Sequence, residues 1–274
     1  MPIGFRLLLR DVSSSLSFRN HAERLAAAAR PAVDNVVVVD HVDSTQASVL
    51  RLVDQAEAEE LTLPTTLVVA AEQDRGLGRV GRQWHSPAGG LYLTWLACGL
   101  DAEALAALPM VAAAAVWTAV TRLGVPNAAI KWPNDILVAG RKLAGILIHA
   151  RHGAATWAAV GVGVNLERPP RLAADQGPPA VALSELLEGG PEATWTEALV
   201  GTIAQQLQVG ARAPEAAVAL WREHLIHRPG DEIRVRTAAC PPVRGRFAGV
   251  TGAGHLRLEI DGAERVIATG DVVE

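Results

Sequence analysis

Residues 129 to 166 read AIKWPNDILVAGRKLAGILIHARHGAATWAAVGVGVNL. Short runs of Ile, Leu, Val and Ala alternate here with breaks made of Pro-Asn-Asp, Ala-Gly and His-Gly. Apolar runs of this length, bounded by turn residues, read as strands joined by tight turns. Links this short make consecutive strands antiparallel neighbours, because a parallel pair needs a crossover of a dozen residues or more. The segment therefore predicts an α+β protein with a mixed or mostly antiparallel sheet.

The flanks extend this pattern. NVVVVDHV (35–42) and TTLVVAA (65–71) are short buried strands. Between them Asp43 or Ser44 caps a helix that puts Val49, Leu52, Val53 and Ala56 on one face. GGLYLTWLACGL (89–100) is a longer strand, and Pro109 is expected to open a helix, since proline suits the first helical position. Thr194 and Glu197 form a capping-box pattern before a stripe of Trp195, Leu199, Ile203 and Leu207. A further helix is expected in 214–227, and another at 18–30 in a Ser-, Arg- and Ala-rich opening. From Arg228 onward, short alternating strands separated by Gly-Ala-Gly and Asp-Gly turns predict a small β-barrel. The expected division is an N-terminal extension (1–35), a catalytic domain (36–227) and a C-terminal domain (228–274).

Composition narrows the function. The 274 residues are half hydrophobic, which suits a sizeable core, and the net charge of −4 argues against nucleic-acid binding by bulk electrostatics. Cys98 and Cys240 make no metal or disulfide pattern, so a reducing cytoplasm is the expected setting. No apolar run is read as approaching the roughly 18–20 residues of a membrane span, and MPIGFRLLLR is too short for a signal peptide.

Positive charge is instead local. In AAEQDRGLGRVGRQWHSP (70–87), Gly76, Gly78 and Gly81 spell G-x-G-x-x-G. A dinucleotide fingerprint needs a strand directly before and a helix directly after, and neither fits here. The companion motifs of a kinase and the Lys-Ser/Thr of a Walker loop are absent as well. What survives is physical. Glycines let the backbone wrap a ligand and aim N–H groups at it. Arg75, Arg79 and Arg82 add planar donors matched to phosphate or carboxylate, and Trp84 offers a flat wall. In KWPNDILVAGRKLAGIL (131–147), Lys131, Asn134, Asp135 and Lys142 flank apolar strands, and Lys142 could neutralise a carboxylate and a developing phosphate charge. Asn-Asp also suits a turn, and the hydroxyls of Asp43-Ser44-Thr45-Gln46 also suit a helix cap. Packing alone could explain the glycines of Gly161 to Asn165.

Taken in order, these four pieces resemble the biotin protein ligase family, the biotin–[acetyl-CoA-carboxylase] ligases. The shared motifs are Asp43-Ser44-Thr45-Gln46, Gln73 with the loop Gly76 to Trp84, Lys131 to Asp135, Arg141 to Leu147, and Gly161 to Asn165. The resemblance covers about residues 36–274, and the two lysine-bearing motifs, Lys131 to Asp135 and Arg141 to Leu147, are highly specific. It implies a catalytic domain like that of class II aminoacyl-tRNA synthetases, followed by an SH3-like barrel.

The implied reaction has two steps. Biotin and Mg-ATP give biotinyl-5′-AMP, and the biotinyl group then passes to a lysine of the biotin carboxyl carrier domain of acetyl-CoA carboxylase or a related carboxylase. Ser44, Thr45, Gln46 and Gln73 match the biotin ureido contacts, with Gly76, Leu77, Gly78 and Arg79 in the covering loop. Lys142 matches the lysine on the biotin carboxylate and α-phosphate. Arg79, Arg82, Trp84 and Asn165 match the adenylate side, and Lys131, Asn134 and Asp135 match its adenylate- and metal-side cluster; beyond the resemblance, Asp135 is expected to orient or deprotonate the incoming lysine. Arg79, Lys131, Asp135 and Lys142 form the implied catalytic set, and Mg2+ comes with ATP rather than on a cage of side chains.

Two positions depart from the family pattern. Gln46 stands for the usual Asn, and Leu77 stands for the loop's first arginine, with Arg75 two residues earlier. Leu77 keeps open a diverged, non-catalytic biotin-binding protein. A lipoate or octanoate ligase-type transferase is the other alternative, and polar Ser44, Thr45 and Gln73 favour biotin over an alkyl chain. The 35 residues before the first strand are too short for the DNA-binding domain some members carry, so no nucleic-acid or membrane partner is expected. A homodimer through the sheet is possible in this family. A loop of this kind is expected to be open or poorly ordered without ligand.

Overall fold

The computed structural model describes residues 16–152, 156–170, 177–188, 192–237 and 241–273. Seven strands form one mixed sheet in the order β1-β2-β3-β7-β6-β5-β4. These are β1 (Asn35–Val42), β2 (Thr66–Gln73), β3 (Gly90–Cys98), β4 (Ala128–Lys131), β5 (Asp135–Val138), β6 (Arg141–Arg151) and β7 (Trp157–Asn165). Only β1 and β2 pair in parallel, with helix α2 (Thr45–Ala58) as their crossover. The run from β4 through β7 is antiparallel, as the short turns of 129–166 require.

The sheet has two differently used faces. On one, Leu67, Val69, Trp95, Val160, Val162 and Val164 pack into the main core. That core is closed by helices α1 (Leu16–Ala29), α3 (Ala102–Arg122), α4 (Glu192–Gly210) and α5 (Glu215–Glu223). On the other face, α2 covers a smaller cluster around Val68, Leu96, Trp157 and Ala159, through Val49 and Val53. The rest of that face, floored by Gly145, Gly161 and Gly163, is left for a cleft. The opening helix belongs to the main core: Leu25 and Ala29 are fully buried, and Gly201 of α4 lies against Ala28 of α1.

Two helix starts differ from the sequence reading. Pro109 lies inside α3, which begins two turns earlier where Asp101 caps the Ala104 N–H. The helix is buried along most of its length, and burial of its apolar surface outweighs the single N–H that proline removes. With the true start in place, α3 is long and apolar enough to cross a membrane by composition, so the expectation of no such run was wrong. Two-thirds of its most apolar stretch is buried in the core instead. In α4, Thr194 and Glu197 sit within the helix rather than at its cap, and Glu197 pairs with Arg24 of α1. The Leu199, Ile203 and Leu207 stripe is fully buried as expected.

A second sheet, ordered β11-β10-β9-β8-β12, contains β8 (Glu232–Arg236), β9 (Val243–Val250), β10 (Leu256–Ile260), β11 (Ala263–Ile267) and β12 (Asp271–Val273). Asp261 and Gly262 both take positive φ at the β10–β11 turn, the geometry an Asp-Gly hairpin demands. This sheet joins the first through the segment after α5. Leu225 bridges Ile130 in parallel and covers the edge of β4, and Trp132 Nε1 donates to Gly254 O at 2.9 Å.

Candidate active site

The cleft lies over the glycine floor, between the start of α2, the 74–84 loop and the tip of the second sheet. Its volume is about 960 Å³. Every residue assigned a biotin, adenylate or catalytic role from the sequence lines it except Gly76, which is buried beneath the loop; Arg75 does not line it either.

One end is polar. The N-terminus of α2 points here, capped by Ser44 Oγ, which accepts from Ala47 N. The capping and ligand-facing readings of Ser44 are therefore compatible. Gln73 Oε1 accepts from Thr45 N at 2.8 Å and from Thr45 Oγ1 at 3.1 Å, while its Nε2 donates to Ser86 Oγ. Thr94 Oγ1 lies 2.9 Å from Thr45 Oγ1 and 3.2 Å from Gln46 Oε1. Ser44, Thr45, Gln46 and Thr94 are all nearly fully buried, so these partners fix their orientation.

The middle is a charged pair on a bare floor. Lys142 Nζ lies 2.7 Å from Asp135 Oδ1 and 5.0 Å from the centre of the Trp84 ring. Trp84 lies flat against the floor. A Cβ at Gly163 would meet its Nε1 at 2.3 Å, and one at Gly145 would meet its Cζ3 at 2.8 Å. Glycine is required at both positions for the ring to sit there. The buried Trp84 Nε1 has no hydrogen-bond partner among the described residues. Asn165, in contrast, has its amide committed to Lys142 O and Val181 O, and it holds the lysine's backbone in place.

The far end is cationic and is built partly by the second sheet. Arg79 donates to Asn134 Oδ1 at 3.1 Å and to Gly270 O at 3.2 Å, and lies 3.4 Å from Asp271 Oδ1. Arg82 meets Asp271 Oδ2 at 2.7 Å. Burial pulls the Arg79 guanidinium below its usual range, and Asp271 and Asp135 act in the opposite sense. Lys131, Arg234 and Arg236 also line this end. Asp271, Arg234 and Arg236 were not picked out from sequence.

The expectation of an open loop is not met. Gly78 N donates to Arg82 O, Trp84 N donates to Gly76 O, and Leu77 bridges Gln83, so the loop is a closed hairpin. Asp271 and Asn134 pin its arginines. Val80 at its tip is three-quarters exposed and holds a left-handed φ of 54°.

A hydroxyl- and amide-lined pocket, a lysine at a glycine floor and an arginine-rich far end are the groups a carboxylate-activating ligase needs. Comparisons with known proteins give its family. The Biotin/lipoate A/B protein ligase family model matches residues 38–165. The biotin–[acetyl-CoA-carboxylase] ligase of Paracoccus denitrificans is 35% identical over 236 residues, covering 80% of this chain and 96% of that protein. The ligase of the same name from Mycobacterium tuberculosis is 30% identical over 255 residues, covering 86% and 87%. Among solved structures, biotin protein ligase from Aquifex aeolicus in complex with biotin and ATP superposes with a TM-score of 0.66 at 22% identity. It covers 88% of this chain and 98% of that one. The chain belongs to the biotin/lipoate A/B protein ligase family, as one of its biotin protein ligases.

Proposed function

We propose that this protein activates biotin with Mg-ATP and transfers it to a lysine of the biotin carboxyl carrier domain of acetyl-CoA carboxylase or a related carboxylase. The observation that carries the reading is the convergence in one cleft of the Thr45–Gln73 end, the Lys142–Asp135 pair and the Arg79–Arg82 end. A ureido ring has N–H donors and a carbonyl acceptor, and the polar end offers groups of both kinds. A valeryl chain would cross the glycine floor and bring its carboxylate to Lys142.

In the first step a carboxylate oxygen attacks the α-phosphorus. A new O–P bond forms, the bond to the bridging oxygen breaks, and pyrophosphate leaves. The anions meeting here repel each other, so the protein's work is electrostatic. Lys142 would exchange its Asp135 partner for the carboxylate and the α-phosphate. Arg79 and Arg82 would hold the phosphates, and Trp84 and Asn134 the adenylate. Magnesium prefers phosphate oxygens with one or two carboxylates, and Asp135 is the carboxylate beside Lys142. Among the described residues no three His, Cys, Asp or Glu side chains converge on one point.

In the second step the carrier's amine attacks the acyl carbon and AMP leaves. Asp135, released from Lys142, would orient that amine and take its proton. The division into a catalytic unit of residues 36–227 and a C-terminal unit of 228–274 belongs to the same proposal, with Asp271 reaching from one to the other. So do a cytoplasmic setting, the absence of a nucleic-acid or membrane role, and a homodimer.

The test is pyrophosphate release with Mg-ATP and biotin, beside lipoate and octanoate, with Lys142→Ala as control. Release with biotin alone, lost at least 100-fold in the variant, is the expected result. Turnover with lipoate or octanoate instead would assign the sister transferase chemistry. Silence with all three would leave a binding protein.

A further inference from the structure

Through Gln46, the polar end of the cleft continues into His149, a residue that neither the motifs nor the mechanism uses. Gln46 is 3% exposed and stands beside Gly161, where a Cβ would lie 2.5 Å from Gln46 Oε1. Its Nε2 donates to Ala159 O at 3.1 Å and lies 2.9 Å from His149 Nδ1. A main-chain carbonyl only accepts, so Ala159 O fixes which end of the amide is nitrogen. With Nε2 as donor, His149 Nδ1 must be the acceptor, which means a neutral ring protonated on Nε2. Both Gln46 N–H groups are then used, and Oε1, which accepts from Thr94 Oγ1 at 3.2 Å, keeps a second lone pair over Gly161 on the floor of the cleft.

We propose that His149 is a positioning residue for substrate selection. Its neutral Nδ1 locks the Gln46 amide so that the inner end of the cleft presents an acceptor to an N–H of the bound acid. This rests on the biotin reading, because the ureido ring supplies such an N–H whereas the dithiolane of lipoate and an alkyl chain do not. The position of Gln46 in place of the usual Asn fits this. The longer side chain carries the amide over Gly161 and across to β6, where His149 lies on the same sheet face as Gly145 and Leu147.

The surroundings of His149 favour the neutral ring. Burial lowers its pKa from the ordinary histidine value. β7 beside it carries no titratable residue. Arg151, two residues along β6, is engaged by Glu57 of α2, and that helix otherwise presents Gln46 to the ring. A proton on Nδ1 would turn the acceptor into a donor. The amide would then have to rotate, putting an NH2 where the substrate also offers N–H.

The experiment is calorimetric binding of biotin without ATP, between pH 5.5 and 8, to wild type, His149→Leu and His149→Asn. The amide oxygen of Asn can stand where Nδ1 stands, accepts a hydrogen bond and does not titrate. The expected result is at least a tenfold loss of biotin affinity in His149→Leu, recovery in His149→Asn, and a decline toward low pH in wild type that the Asn variant lacks. Thermal midpoints within a few degrees show that each variant is folded. Wild-type affinity in His149→Leu, or an identical pH profile in wild type and His149→Asn, would overturn the proposal while leaving the biotin reading intact. A wild-type protein that binds no biotin would remove both.

Discussion

His227 makes the join between the two sheets sensitive to acid. It sits between α5 and β8, 8% exposed, tilted against Phe247 with ring centres 5.8 Å apart. Its Nε2 has no hydrogen-bond partner among the described residues. Burial is the main reason its pKa falls from 6.5 to about 4; the nearby charge of Lys131 adds to the fall, and Asp231 opposes it. The folded pKa is below the unfolded one, so the folded state binds fewer protons. The stability this residue contributes is complete above pH 6.5, drains away as pH falls, and is gone near pH 4. Integrating between those values gives a loss of about 2.5 kcal/mol at pH 4.5, or about 70-fold in the unfolding equilibrium. Urea unfolding of wild type and His227→Phe at pH 7 and pH 4.5 isolates the effect, since the difference of differences cancels every other titrating group. Phenylalanine keeps the ring and cannot be charged, so the variant should lose about 2.5 kcal/mol less than wild type over that range. Equal losses in the two proteins would refute the reasoning.

Two further predictions concern the loop. Gly163→Ala places a methyl group where Trp84 lies, so the ring must leave the floor and Lys142 loses its aromatic neighbour; adenylation should fall at least tenfold, and an unchanged rate would show that the ring's seat is irrelevant. Asp271→Ala removes the half-exposed Arg82 pair, worth under about 1 kcal/mol, and the more buried Arg79 contact, for a total of about 2 kcal/mol. Dissociation of preformed biotinyl-5′-AMP, followed by stopped-flow fluorescence, should be at least tenfold faster, and a wild-type rate would exclude a closing role for this aspartate.

The sequence was most readable where structure is local. The strands of 129–166, the Ser44 cap and the Asp-Gly hairpin each follow from a few neighbouring residues, and the structure forms all of them. Pro109 misled because propensity is a weak prior inside a buried helix, where packing decides. The Thr194–Glu197 pattern misled for a related reason: both residues lie inside α4, and Glu197 pairs with Arg24, 173 residues away. The polar and central parts of the cleft were legible because each motif carries its own chemistry. Asp271 was not, because it acts on arginines 189 residues or more away in the chain, and nothing in its local sequence marks that pairing.

The same geometry bears on the missing loop arginine. Leu77 sits at the cleft rim, 42% exposed, with its backbone bridged to Gln83. Arg75 does not take the vacant place, because it does not line the cleft. A displaced guanidinium therefore cannot be what preserves the site. What position 77 contributes here is backbone, holding the hairpin whose next two arginines reach Asn134 and Asp271. The charge that a nucleotide would meet at this end comes instead from Arg79 and Arg82 on the loop and from Arg234 and Arg236 on the second sheet. In the proposed reaction, cations that the C-terminal strands bring to this end of the cleft would offset the loss of one loop arginine, and the second sheet would then be part of the catalytic apparatus.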